Sequence, residues 1–476
     1  MIALLTLADC LEALTGIRLE RADLVITETD IDSRQVIPGA MFVALPGEHA
    51  DGHDYLEEAF KRGAGVAIVQ KDVSQKYPQI DVRSLIDVLN LQIPQGSFCI
   101  LVNDSLKAMQ TIARFWRRKL DLQVVGITGS VGKSTTKELT AEILSNKYRT
   151  LKNIGNLNNE IGLPLSLLRL TKGYQCAVLE MGFYVPGEIA FLCDLALPQI
   201  GIVTNVGMVH AERAGSIEEI AKGKSELVQA LPAAPDGIAI LNYDDPLVRA
   251  MKEVTKAHVI MYGLDPSADL WADEIESHGL QGIEFKLHVK HDSFHIHVPM
   301  IGQHSVHTIL RAAAAGMVEG LSWAEIIAGL QETHSQLRLV AVHSRNGALI
   351  LDDTYNASPE STLAALSLLE ELEGRRIAVL GDMLELGKYE KLGHEKVGFR
   401  VAEVADELIA VGKLGKIIAE AAMEAGLPAK SVHWFAEVDQ VIDLLDEKLT
   451  KRDVALIKGS HGLRMDRIVT ALEIES

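Results

Sequence analysis

The stretch Val124-Val125-Gly126-Ile127-Thr128-Gly129-Ser130-Val131-Gly132-Lys133-Ser134-Thr135 is where the fold is most legible. The apolar run from Val124 to Ile127 reads as a buried strand. Past Thr135, Leu139, Ile143 and Leu144 recur at helical spacing. A strand entering a Gly-rich turn and leaving as a helix is the frame of a phosphate-binding loop. Glycines let backbone N–H groups turn inward, and the helix N-terminus adds its positive end. Gly129, Ser130, Val131, Gly132, Lys133, Ser134 and Thr135 are then the phosphate-binding residues, with Lys133 reaching the β and γ phosphates and the Ser134 hydroxyl taking Mg²⁺. The spacing is a variant, because the usual first glycine falls where this chain has Ile127.

Working outward, Ala177-Val178-Leu179 and Ile200-Gly201-Ile202-Val203 are further buried-strand candidates separated by helical patterns. Strands alternating with helices predict a mostly parallel α/β sheet. Phe285 to Val289 and Phe294 to Val298 alternate with period two, which predicts antiparallel strands appended to it. Glu180 follows the second strand, where an acid beside a phosphate loop suits a hard cation. A solvated turn carboxylate is the alternative. His210, beyond the third strand, is either a ligand or a structural histidine.

Upstream, Gln92-Ile93-Pro94-Gln95-Gly96-Ser97 reads as a loop near a domain boundary, and Ser105 to Leu120 as an amphipathic helix with Leu106, Met109, Ile112 and Phe115 on one face. Downstream, a new α/β run begins near Arg338. Its strands are Ala348–Leu351, Ile377–Leu380, Leu408–Val411 and Val454–Ile457, as in a doubly wound sheet whose ligands gather at the carboxyl ends of strands.

At ~150 residues per domain, 476 residues suggest about three domains. Hydrophobic residues at 48% and charged residues at 23% exclude wholesale disorder. Lys plus Arg number 46 against 65 Asp plus Glu, a net charge of −19 that disfavours binding to nucleic acid or anionic lipid. The four cysteines form no CxxC or zinc spacing and read as buried thiols of a reducing compartment. Met1 to Gly16 lacks a basic n-region, and no apolar run approaches the ~18 residues of a membrane span, so no membrane insertion and a cytoplasmic protein are expected.

Several motifs in order resemble the Mur ligase family: Thr128 to Ser134, Asn156-Leu157-Asn158-Asn159-Glu160-Ile161-Gly162-Leu163-Pro164, Glu180-Met181-Gly182, Leu351-Asp352-Asp353-Thr354-Tyr355-Asn356-Ala357-Ser358-Pro359 and Gly381-Asp382-Met383-Leu384-Glu385-Leu386-Gly387. The resemblance spans the chain. It implies a small mixed N-terminal domain (1–104) that binds a UDP-N-acetylmuramoyl tripeptide and a central P-loop ATPase-like domain with a mostly parallel sheet (105–334). A C-terminal Rossmann-like domain (335–476) closes on nucleotide and incoming dipeptide. The implied reaction joins the tripeptide carboxylate to D-alanyl-D-alanine through an acyl phosphate, with ATP and two Mg²⁺ ions, in a monomer.

Residue by residue, the resemblance implies catalytic roles for Lys133, Lys224 and His210, and metal ligation by Ser134, Glu180, His210 and Lys224. Lys224 stands fourteen positions after His210, where the family carries a carbamylated lysine. A carbamate is an anionic oxygen donor suited to Mg²⁺, whereas an ammonium would repel it. Without that spacing, Lys222 competes for the role. Arg338, Asp353, Tyr355 and Asn356 match positions that touch the nucleotide. Ser33 and Arg34 match a uridine-diphosphate segment, Arg34 as a forked donor, and Asp51-Gly52-His53 resembles another. Ser305 and Thr308 stand where family asparagines contact adenine, so the resemblance assigns no base contacts there. His461 stands where an arginine is common. A P-loop kinase, a nucleotide-gated binding protein and a ligase adding diaminopimelate or lysine are the competing readings; the last lacks its Asp-Asn-Pro-Arg motif here.

Overall fold

In the computed structural model, residues 4–47, 50–84, 91–208, 211–332 and 340–473 are described, and they build three sheets. The first is parallel, with order β1-β2-β3-β5-β4: β1 (Thr29–Asp30), β2 (Met41–Val43), β3 (Val66–Val69), β4 (Gln79–Asp81) and β5 (Phe98–Leu101). Every residue of β2, β3 and β5 is buried, which is why these strands read as unbroken apolar runs. The Gln92–Ser97 loop leads directly into β5, so it belongs to this sheet rather than to the junction beyond it.

Helix α1 (Leu7–Thr15) and helix α2 (Ser105–Arg118) pack together beside this sheet. Asp104 caps α2 by accepting from the Lys107 N–H at 2.9 Å. Its buried stripe is Ala108, Met109, Ile112, Ala113 and Trp116, while Leu106 and Phe115 lie half-buried at the margins. The expected face was turned because α2 is covered from two sides, also meeting the helix Gly162–Leu168. The core beneath the first sheet thereby runs on into the central one.

The central sheet runs β14-β13-β12-β11-β10-β9-β6-β8-β7. Its strands are β6 (Gln123–Thr128), β7 (Thr150–Lys152), β8 (Cys176–Glu180), β9 (Ile200–Val203), β10 (Ile238–Asn242), β11 (His258–Gly263), β12 (Leu270–Ser277), β13 (Ile283–Val289) and β14 (Asp292–Val298). All neighbours from β7 through β12 pair parallel; β12, β13 and β14 form the expected antiparallel ribbon. From β6 the chain builds β7 and β8 on one side and then β9 to β11 on the other. The carboxyl ends of β6, β8 and β9 therefore bound a topological switch point, where open α/β sheets bind ligands. Helix α3 (Lys133–Ser145) leaves this point. On one face lies α4 (Ile217–Ala230); on the other, α5 (Ser305–Val318) packs its Val306, Ile309 and Leu310 with Leu139 and Ile143 of α3.

The third sheet has order β15-β16-β20-β17-β18-β19: β15 (Val340–His343), β16 (Leu349–Asp353), β17 (Arg375–Leu380), β18 (Glu407–Val411), β19 (Val432–Phe435) and β20 (Asp453–Lys458). Only β15 is antiparallel. The four strands expected from sequence are the buried ones. The two edges differ: β19 is mostly half-exposed and His433 breaks its apolar run, whereas β15 is mostly exposed although Val340 to Val342 are apolar. Helix α6 (Pro359–Glu371), capped by Ser358, follows β16 back toward the central sheet. No helix among the described residues is long and apolar enough to cross a membrane.

Candidate active site

Strand β6 runs through Thr128, its Ile127 carbonyl accepting the Met181 N–H at 2.8 Å. The phosphate loop therefore opens at Gly129, which explains the displaced first glycine. Gly129 has φ +146° and lies so close to Thr204 that a Cβ would sit 1.8 Å from its hydroxyl. Gly132, at φ +82°, makes the left-handed step into α3. Asn205, just past β9, holds the loop from the far wall: its side-chain oxygen accepts from the Ser130 and Val131 N–H groups at 3.2 and 2.8 Å. Thr204 Oγ1 donates to the Val131 carbonyl at 2.7 Å. Lys133 Nζ folds over the loop, donating to the Gly129 and Ser130 carbonyls at 2.8 and 3.2 Å.

Glu180 ends β8 directly beside α3 and is 1% exposed, so it is not a solvated turn residue. Ser134 Oγ donates to its Oε2 at 2.6 Å and Asn158 Nδ2 to its Oε1 at 2.8 Å. Asn153 clasps the Glu180 backbone through both N–H and carbonyl. Buried Lys137 in turn donates to the carbonyls of Asn153 and Gly155. Of the Asn156–Pro164 segment, Asn158 is the residue that holds the acid's side chain. A carboxylate and a hydroxyl converging at a phosphate loop fit Mg²⁺, which is commonly held by one or two carboxylates plus substrate phosphates rather than by an all-protein cage. Among the described residues, no group of three His, Cys, Asp or Glu that could hold a metal occurs.

Lys224, on α4, is 1% exposed, with Nζ 4.8 Å from the centre of the Phe183 ring. Burial, and then the charge of Lys133, hold its pKa well below the usual lysine range, which favours the neutral amine. Lys222 is mostly exposed and sits 3.9 Å from Glu219, so of the two candidates Lys224 occupies the buried position. His210 and Arg338 lie outside the described residues.

The third sheet closes the site from across a cleft of about 1050 Å³, lined by Ser130 to Thr135, by His304, Ser305 and Thr308 of the α5 entrance, and by Asp353, Asn356, Ser358 and Lys458. Lys458, 1% exposed, donates to Asp353 Oδ2 at 2.6 Å and to the Asn356 carbonyl at 2.8 Å. Tyr355 is exposed and meets His461 edge-on, ring centroids 6.5 Å apart. Behind the cleft, Glu360 of α6 accepts the Met208 N–H at 3.1 Å, and Gly207 beside it exchanges two hydrogen bonds with Ser130 Oγ. The third sheet thus touches the phosphate loop through one intervening loop. In the first domain, Ser33 is buried and donates to Glu58 at 2.8 Å, while exposed Arg34 pairs with Asp32. His53 bridges Asp51 and the Gln70 N–H.

Sequence reasoning overlooked the parts played by Thr204, Asn153, Lys137 and Glu360. Asn205 and Lys458 were likewise given no role. Thr204 and Asn205 stand just past the carboxyl end of β9, Asn153 just past β7 and Lys458 at the end of β20, whereas Lys137 and Glu360 lie on helices and carry no such signal.

The family description "Mur ligase family, catalytic domain" matches residues 25–114, "Mur ligase middle domain" residues 127–316, and "Mur ligase, glutamate ligase domain" residues 337–461. The chain is 36% identical over 458 residues to the UDP-N-acetylmuramoyl-tripeptide–D-alanyl-D-alanine ligase of Bacillus subtilis (strain 168), covering 95% of this chain and 94% of that protein. It superimposes on MurF from Acinetobacter baumannii with a TM-score of 0.82 at 28% identity, covering 99% of this chain and 98% of that one. MurF ligase from Thermotoga maritima in complex with ADP gives a TM-score of 0.78 at 27% identity, with 97% of each chain covered.

Proposed function

The chain belongs to the Mur ligase family, and on that premise we propose that it is the ATP-dependent ligase adding D-alanyl-D-alanine to a UDP-N-acetylmuramoyl tripeptide, in the cytoplasm and as a monomer. The observation that carries this reading is the cleft in which the phosphate loop of the second sheet faces Asp353, Asn356 and Lys458 of the third. A ligase that makes an acyl phosphate must exclude water from it, and a site built from two domains can do so by closing.

In the reaction, the tripeptide carboxylate takes the γ-phosphoryl group of ATP and ADP departs. The dipeptide amine then attacks the acyl carbon, and inorganic phosphate leaves as the amide forms and the amine proton is lost. The first turn of α3 presents N–H groups to the phosphates. Lys133 swings from its carbonyl contacts to the transferring group, whose developing charge it stabilises. Asp353 and Asn356 hold the nucleotide from the third domain, and Ser33 and Arg34 the uridine diphosphate in the first. Arg338 and Tyr355 are proposed to join the nucleotide contacts.

Ser134 and Glu180, with His210 and carbamylated Lys224, would hold Mg²⁺. The bound metal supplies Lewis-acid polarisation of the phosphoryl oxygens. The buried Lys224 amine fits carbamylation, which requires a neutral nitrogen and converts it into an anionic oxygen donor suited to Mg²⁺.

Phosphate release measured with each substrate withheld in turn tests the assignment. Release is expected only when ATP, the UDP-muramoyl tripeptide and D-alanyl-D-alanine are all present. Turnover without the dipeptide would support a kinase, and ATP binding without any turnover a nucleotide-gated binder.

A further inference from the structure

Beneath the first turn of α3 lies a buried cation that this chemistry does not use. Arg311 of α5 is 4% exposed. Its Nε donates to Thr136 Oγ1 at 2.6 Å, and its Nη2 to Thr308 Oγ1 at 2.7 Å and, more weakly, to the Gly132 carbonyl at 3.4 Å. Nη1 lies 3.5 Å from the Tyr262 hydroxyl. Among the described residues no carboxylate stands within ion-pair distance of the guanidinium. A charge this deep is normally matched by an anion, because desolvating it unpaired is costly.

The bonds converge on one peptide plane. The Thr136 hydroxyl that accepts from Arg311 donates to the Gly132 carbonyl at 2.5 Å, and the Thr136 N–H donates to the same carbonyl at 2.9 Å. A Cβ on Gly132 would lie 2.5 Å from Arg311 Nη2. A trans peptide is planar, so its C=O and N–H point in opposite directions. Holding the Gly132 carbonyl toward Arg311 therefore aims the Lys133 N–H the other way, out of the first helical turn, where phosphate would sit.

We propose that Arg311 is a positioning residue for the nucleotide phosphates. Its fork fixes the Gly132–Lys133 peptide, and its charge, unmatched within the protein, is balanced by the phosphate anion when nucleotide binds. Thr308, which lines the cleft, ties the same guanidinium to the α5 entrance. This rests on the nucleotide site proposed above.

The test compares the full-length protein with Arg311→Met and Arg311→Lys, reading Mg-ADP affinity by calorimetry and the KM values for ATP and D-alanyl-D-alanine. Arg311→Met is expected to weaken Mg-ADP and raise the ATP KM by about tenfold or more, leaving the dipeptide KM nearly unchanged. A loss smaller than about fivefold, or an equal rise in both KM values, would overturn the proposal. If Arg311→Met does not fold, Arg311→Lys decides: it keeps the charge but cannot fork, and wild-type ADP affinity there would refute the positioning role. Absence of ADP binding by the unmutated protein would instead sink the nucleotide-site reading.

Discussion

Gly129→Ala puts the loop geometry at risk in a way that can be worked through atom by atom. The new Cβ would lie 1.8 Å from Thr204 Oγ1, 2.9 Å from Thr204 Cβ and 3.1 Å from its backbone nitrogen. Comfortable separations between such atoms are about 3.5 Å or more. Thr204 cannot simply turn aside: it is fully buried, its hydroxyl holds the Val131 carbonyl, and its N–H bonds Thr128. Overpacking costs about 1–3 kcal/mol. A side chain at φ +146° adds roughly 1–3 kcal/mol. Breaking the Thr204–Val131 bond adds about 1 kcal/mol. Together these approach the stability of a whole domain, ~5–15 kcal/mol, so the loop should shift rather than hold its shape. We expect a melting temperature several degrees lower and, because the shifted loop no longer cradles phosphate, loss of the thermal shift that Mg-ADP produces. Adding Thr204→Ala removes the 1.8 Å contact but leaves the one at 2.9 Å, so rescue should be partial. Scanning calorimetry with and without Mg-ADP reads both effects. Wild-type melting and an undiminished ADP shift in Gly129→Ala would refute the reasoning.

Lys133→Ala should lower kcat by roughly 10²–10³ while changing stability by no more than about 1 kcal/mol, since it removes a preorganised cation and two carbonyl contacts; near-wild-type turnover at saturating ATP would count against its role. Lys224→Ala should be almost inactive and regain part of its activity with acetate or formate, whereas electron density showing an unmodified Lys224 in fully active enzyme under CO₂-replete conditions would exclude the carbamate. Glu360→Ala removes the carboxylate that receives the Met208 N–H across the domain contact, so small-angle scattering should report a larger radius of gyration than for the unmutated protein under identical conditions. The four cysteines are all buried, with burial pushing the Cys99 and Cys176 thiols up to about 12 and those of Cys10 and Cys193 higher still. A thiol reagent at neutral pH should therefore label none quickly in the native protein and all four once it is unfolded.

What could be read along the chain was whatever is local. The phosphate loop is contiguous, and the two glycines, the lysine and the preceding apolar strand fall within one short stretch, so the strand–turn–helix follows from backbone sterics and period alone. Buried parallel strands announced themselves as apolar runs, and Glu180 and Asp353 stood at strand ends where a doubly wound sheet gathers ligands. Edge strand β19 escaped notice because a half-exposed strand needs no such run, whereas β15 carries one, Val340 to Val342, on an exposed edge. For α2, period identified a helix but not the two neighbours that choose its buried face. Only the tertiary structure brought Arg311 to Gly132, 179 residues away, and set Glu360 on the Met208 N–H and Lys458 against Asp353. Such pairs leave no periodic trace, because their residue types are chosen by what stands opposite in space. A buried charge or hydrogen bond is satisfied by whichever group the sheet order delivers, and that order is a property of the whole fold.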